Sequence, residues 1–125
     1  MDNYIPGVCN IGVKERQFRR NIGIVAGFIS VAYLVVILAL KLELVAKLLI
    51  FIPIFTAVIS YLQFRMHFCA EFGILGKYNF SKNLGRALSV EETEALLKDR
   101  ATALKIILYS FVLSFVATAT IIVLL

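Results

Sequence analysis

The stretch NIGIVAGFISVAYLVVILAL, residues 21–40, decides the fold. Its 20 residues include no Asp, Glu, Lys or Arg. A bilayer core of about 30 Å is crossed by roughly 17–25 helical residues, so this run is long enough to span. Two more uncharged runs follow, Leu48–Phe64 with 17 residues and Ile106–Leu125 with 20. The second extends through Leu44–Ala46 if the Lys47 ammonium snorkels toward water. In hydrocarbon the backbone must satisfy its own hydrogen bonds, so each run predicts a helix. The expected fold is all-α, an integral membrane protein with three transmembrane helices.

Composition agrees with that reading. Of 125 residues, 61% are hydrophobic and 17% charged, with a mean hydropathy of +0.91. Soluble domains run near 45–50% apolar and about 25% charged. A small soluble domain also has a large surface to cover with polar groups, and disorder requires low hydrophobicity. Both classes are therefore excluded. The run at 21–40 exceeds the roughly 7–15 residues of a signal-peptide core, and no small-residue cleavage site follows it. It reads as a retained span.

Charge sets the expected orientation. Residues 41–47 are too short a connection for anything but an antiparallel hairpin between spans one and two. With three spans, the tail before residue 21 and the segment Arg65–Lys105 lie on one side. Together they hold eleven Lys and Arg, against two in the hairpin turn. The positive-inside bias places them in the cytoplasm. The expectation is a multi-pass protein of the inner (plasma) membrane with a cytoplasmic N-terminus. The flanking bases then meet anionic lipid headgroups. No block of bases interleaved with aromatics points to nucleic acid.

The segment between spans two and three is partly structured. Ser89-Val90-Glu91-Glu92 reads as a capping box with Ser89 as N-cap, and Glu94 and Lys98 form an i,i+4 pair. No Pro or Gly follows, so a helix is predicted from Val90 to Leu125. Its 36 residues would measure about 54 Å and extend the third span into the cytoplasm. Gly73–Gly85 reads as the true loop. The chain divides into residues 1–85 and residues 86–125. Pro53 should kink span two or be absorbed near its start.

Small residues mark candidate helix contacts. Gly23 and Gly27 form a GxxxG pattern. Ser110, Ser114 and Thr118 repeat at four-residue spacing on one face of span three, as do Thr56 and Ser60 on span two. Such faces allow close backbone approach in lipid, and they suggest a homo-oligomer.

Two short segments carry a motif. The first is Asn10-Ile11-Gly12 with Glu15, Arg16, Arg19 and Gly23; the second is Cys69 with Phe72, Leu75 and Gly76. Over about residues 9–80 the chain resembles the YgaP-like transmembrane domain family, the inner-membrane module often attached to rhodanese domains. Ala70 stands where that family usually has Pro, Cys9 is additional, and the third span lies outside the pattern. The resemblance implies a membrane hairpin that dimerises, and a rhodanese or sulfur carrier as a partner. It supplies no activity.

Residue chemistry leaves several readings open. Gly12 caps a helix beginning at Val13, with Glu15 near its positive end. Arg16, Arg19 and Arg20 lie at i, i+3 and i+4 on one side. They would anchor anionic lipid or line a pocket for an anion, or pair with Glu15 or Glu71. Arg65 precedes Cys69 by four residues, and a neighbouring guanidinium favours the nucleophilic thiolate. Cys9 belongs at the same interface. The two thiols form a candidate redox or persulfide pair, or are simply buried. His67 is about 200° from Cys69 around a helix and so does not chelate with it; Glu71 is its natural partner. No zinc, haem, nucleotide or dinucleotide signature appears, and no cofactor is implied. The leading functional expectation is a non-enzymatic module that self-associates or scaffolds a partner. The alternatives are a cytoplasm-facing sulfur relay through Cys69 with Cys9, and a small oligomeric channel or transporter.

Overall fold

The computed structural model describes residues 3–81 and 87–125. The elements are α1 (Val13–Leu40), α2 (Leu44–Leu48), α3 (Phe51–Met66), α4 (Ala70–Leu75), β1 (Lys77–Tyr78), β2 (Leu88–Ser89) and α5 (Thr93–Leu124). Among the described residues, three helical segments are long and apolar enough to cross a membrane: Val13–Leu40, Leu44–Met66 and Thr93–Leu124. Of the described residues, 74% are helical.

The fold is mostly helical, as the all-α expectation has it, with one short β ladder beside the helices. β1 and β2 pair antiparallel, with Lys77 opposite Ser89 and Tyr78 opposite Leu88. The N-terminal tail adds two bridges, Ile5 with Cys9 and Ile11 with Asn79. The β pairing corrects the start of the last helix. Ser89 belongs to the ladder, and the Val90 N–H donates to the Gly76 carbonyl at 2.7 Å. The capping box therefore does not form. Glu92 stands at the N-cap without a side-chain bond, and the helix begins at Thr93. It has 32 residues, about 48 Å at 1.5 Å each. The Glu94–Lys98 pair is present at 3.9 Å. Asn83, Gly85 and the boundary between residues 85 and 86 lie outside the described residues.

Span two breaks where its proline requires. Pro53 has no N–H to give the Leu49 carbonyl, four residues back. That carbonyl instead accepts the Ile52 N–H at 3.2 Å. The resulting short turn separates α2 from α3 and leaves Pro53 in the first turn of α3, where proline is tolerated.

The end of α3 matters most for the site. His67 adopts the left-handed region, φ 56°, and ends the helix. Cys69 is the extended residue before α4, and Gly76 closes α4 at φ 72°, a conformation that glycine adopts without penalty.

α3 packs against both α1 and α5, and α4 packs on α5. The buried cluster Phe68, Ala70, Ala103 and Ile106 gathers where α3, α4 and α5 meet. The buried face of α5 runs through Ala95, Asp99, Ala103, Ile106, Ser110, Ser114 and Thr118, a spacing of three and four residues. Elsewhere the long helices turn large apolar side chains outward, among them Phe28, Phe115 and Val123.

Candidate functional site

The N-terminal tail folds back as a strap under the start of α1. Cys9, Asn10 and Ile11 are fully buried. The Asn10 N–H donates to the His67 carbonyl at 3.2 Å, and the Asn10 carbonyl accepts the Asn79 N–H at 2.9 Å. The Asn10 side chain then grips Cys69: Nδ2 donates to its carbonyl at 3.0 Å, and Oδ1 accepts its N–H at 2.7 Å. An asparagine carboxamide has the donor and acceptor to pair an extended residue in this way.

A second buried hub holds the front of the strap. Asp99 on α5 is fully buried. It accepts the Tyr4 hydroxyl at 2.6 Å and the Gly7 N–H at 2.7 Å. Thr102 donates to the Gly7 carbonyl at 2.6 Å. Burial and the bond to Asp99 hold the Tyr4 hydroxyl well above its ordinary pKa.

The Cys69 thiol faces a guanidinium, but it is that of Arg19. Arg19 Nη2 donates to Cys69 Sγ at 3.0 Å, and Arg19 Nη1 stands 3.5 Å from Glu15 Oε2. Asn79 Nδ2 donates to Glu15 Oε1 at 2.9 Å. The sequence-based choice of Arg65 assumed an unbroken helix. His67 ends that helix, the four-residue spacing no longer defines a common face, and Arg65 is exposed while Cys69 is buried. The same break undoes the expected His67–Glu71 pairing: the ion pairs among the described residues are Glu15–Arg19 and Glu94–Lys98. Burial first, and then the Arg16 charge, push the His67 pKa below its ordinary value.

The three tail arginines separate in role. Arg16 Nε donates to the Phe64 carbonyl at 2.8 Å, and its guanidinium covers the Phe64 ring at 4.3 Å. It caps the end of α3, satisfying a carbonyl the helix cannot. Arg19 holds Cys69 and Glu15. Arg20 is exposed. α1 keeps the three on one side, and of the alternatives open to them the pairing with Glu15 is made by Arg19.

Cys9 and Cys69 are both buried and not joined in a disulfide. The Asn10 clasp brings their segments side by side, as their common interface predicts. Cys9 Sγ lies 3.6 Å from the Ile11 carbonyl. Among the described residues no three His, Cys, Asp or Glu side chains converge as metal ligands would.

The helix-packing residues divide too. Ser110, Ser114 and Thr118 are buried within the chain, their hydroxyls without hydrogen-bond partners among the described residues. Gly23 packs on α3: a Cβ there would stand 3.4 Å from Ser60 Cβ. Apart from the backbone of its own helix and its chain neighbours, no described residue lies within 4 Å of a Cβ built at Gly27.

Beside Cys69 an open cleft of about 680 Å³ lies between α1, α3, α4 and α5. Arg19, Ser60, Gln63, Cys69 and Glu71 form its polar lining. Sequence reading gave no role to Gln63, Asn79 or Asp99, and none to Tyr4. Asp99 did leave a signal, because it falls on the same periodic face as Ala95, Ala103 and Ile106. Comparison with family models, curated proteins and solved structures returned no match.

Proposed function

We propose that this chain is a non-enzymatic multi-pass membrane module that associates with further copies of itself through α1. The tail and the 65–105 segment lie in the cytoplasm, on the eleven-to-two division of basic residues. The observation that carries the reading is Gly27. Gly23, one turn earlier, serves packing inside the chain, whereas Gly27 leaves open space that no described residue of another element fills. Helices in lipid associate through such small-residue notches, because apolar side chains gain little by leaving lipid tails. The module resembles the YgaP-like family in its first two spans, and dimerisation is what that resemblance implies. Mass measurement of the protein in mild detergent, corrected for bound detergent, should give at least a dimer. A monomer under those conditions and in bilayers would count against the reading.

A second reading has its own observation, the 3.0 Å contact from Arg19 to Cys69 Sγ. Here Cys69 accepts sulfane sulfur from a persulfide donor such as a rhodanese. The Cys69 thiolate bonds to the outer sulfur, the donor S–S bond breaks, and the donor leaves as a thiolate. Mass spectrometry after incubation with a small persulfide should show one added sulfur on Cys69, lost in Cys69→Ser and reduced in Arg19→Gln. An unmodified Cys69 under those conditions leaves the thiol with a structural role alone.

A further inference from the structure

The cleft beside Cys69 contains polar groups that the fold does not use. Gln63 on α3 is 8% exposed. Its Oε1 accepts the Ala70 N–H at 2.9 Å, which fixes the amide orientation and leaves Nε2 as the free end. No hydrogen bond from Nε2 to a described residue exists. Ser60, one turn earlier on α3 and 3% exposed, likewise has a hydroxyl without a partner among the described residues. Both line the cleft, together with the guanidinium of Arg19. Gln63 Nε2 and the Ser60 hydroxyl thus open onto the cleft beside a guanidinium already shared by Cys69 and Glu15, and the three together offer donors to an acceptor that the described residues do not provide.

The remaining lining says what carries that acceptor. Arg19 stands two residues before the uncharged run that opens at Asn21. Past it, Ile22, Ile59 and Ile107 wall the cleft on the span side. A polar head at Arg19 would therefore continue into an apolar chain along these isoleucines. Glu71, on α4 and outside the three uncharged runs, also lines the cleft and is exposed. Glu15 already shares the Arg19 charge, so a simple anion would meet an excess of carboxylate. A head with an oxyanion and a primary ammonium matches both charges: oxygen on Arg19, Gln63 and Ser60, nitrogen on Glu71.

We infer that the cleft binds one phospholipid of the ethanolamine type. Phosphate oxygens accept from Arg19, Gln63 Nε2 and the Ser60 hydroxyl, and the ammonium donates to Glu71. A choline head has no N–H to donate, and a glycerol head has no cation. The inference rests on the chain spanning a membrane, though not on its self-association.

The test is native mass spectrometry of the full chain released from micelles doped equally with ethanolamine, choline and glycerol phospholipids of identical acyl chains. The wild type should retain one ethanolamine phospholipid about tenfold over the others, the scale of one charge-assisted contact. Gln63→Glu keeps the acceptor for Ala70 N–H while removing the donor, and should lose that retention about tenfold. Glu71→Gln should abolish the preference over the glycerol lipid. Soluble phosphoethanolamine should not displace the lipid, because it lacks the chain that the isoleucines hold; displacement would overturn the lipid as ligand. Equal retention of all three heads, or unchanged binding in Gln63→Glu, would overturn the proposal. Alkaline carbonate extraction separates the two levels. A chain released from membranes defeats the membrane reading itself, whereas a chain that stays yet shows no preference defeats only the lipid site.

Discussion

Asn10 holds Cys69 by both atoms of its carboxamide, one bond to the Cys69 carbonyl at 3.0 Å and one from the Cys69 N–H at 2.7 Å. Cys69 lies between two helices: its carbonyl accepts the Gly73 N–H of α4 at 2.9 Å, but neither helix satisfies its N–H. The strap supplies the missing partner from 59 residues away in sequence. Asn10→Ala leaves the buried Cys69 N–H unpaired, while its carbonyl keeps the Gly73 N–H. At about 1–3 kcal/mol for such a group, it should destabilise the protein by about 1–3 kcal/mol. Thermal unfolding in detergent measures this, and a melting temperature equal to wild type would show that the clasp contributes nothing.

Tyr4 reports the other end of the strap. Burial and Asp99 hold its proton more tightly than in an unfolded chain. The folded-state pKa is raised, so the stabilisation is complete below the ordinary phenol value of about 10 and is lost as pH rises above it. At about pH 10, where an ordinary phenol is half ionised, wild type and Tyr4→Phe should give nearly equal phenolate absorbance in the ultraviolet, because Tyr4 keeps its proton. A deficit of one tyrosine in five for the variant would mean that Tyr4 titrates normally and that Asp99 does not protect it.

His67 predicts an acid-side effect of opposite sign. Its folded pKa is lowered, chiefly by burial and then by Arg16. The neutral ring is favoured, so the contribution is present above the ordinary value of about 6.5 and falls as pH drops through the folded pKa. His67→Asn tolerates the left-handed backbone and should flatten the loss of melting temperature between about pH 7 and pH 5. An identical acid slope in both proteins would assign that loss to other groups.

Orientation is testable with engineered thiols, since both native cysteines are buried. Lys14 and Leu44 are exposed at opposite ends of α1 and its connection. In intact cells an impermeant maleimide should label Leu44→Cys and spare Lys14→Cys. Labelling of Lys14→Cys alone would reverse the topology.

The three long helices were legible because their cause is local: uncharged runs of membrane length need no knowledge of neighbours. Val13 as the start of α1 was legible for the same reason, with Gly12 before it and Glu15 within the first turn. The site was legible only in its membership. Cys69, Arg19 and Cys9 could be chosen as chemistry-bearing residues, but their partners depend on a single left-handed residue, His67. That residue turns the chain out of its helix and replaces Arg65 by Arg19 at the thiol. The periodic extrapolation from Arg65 to Cys69 could not detect it, since histidine carries no strong stop signal. Ser89 failed as a cap for a related reason, because a strand partner at Lys77, twelve residues earlier, took its backbone. Asn10 appeared in the sequence only as a motif letter; its pairing with residues 67, 69 and 79 is long-range and has no local signature.

Self-association through α1 is tested most directly by energy transfer between differently labelled copies in vesicles, over a series of dilutions with lipid. Wild-type protein should show transfer that exceeds the random-encounter level and persists on dilution. Gly27→Leu should fall to the random level while its melting temperature stays unchanged, since no described residue of another element lies within 4 Å of the added side chain's Cβ. Wild-type transfer no greater than random encounter, or Gly27→Leu associating as wild type does, would contradict association at that notch.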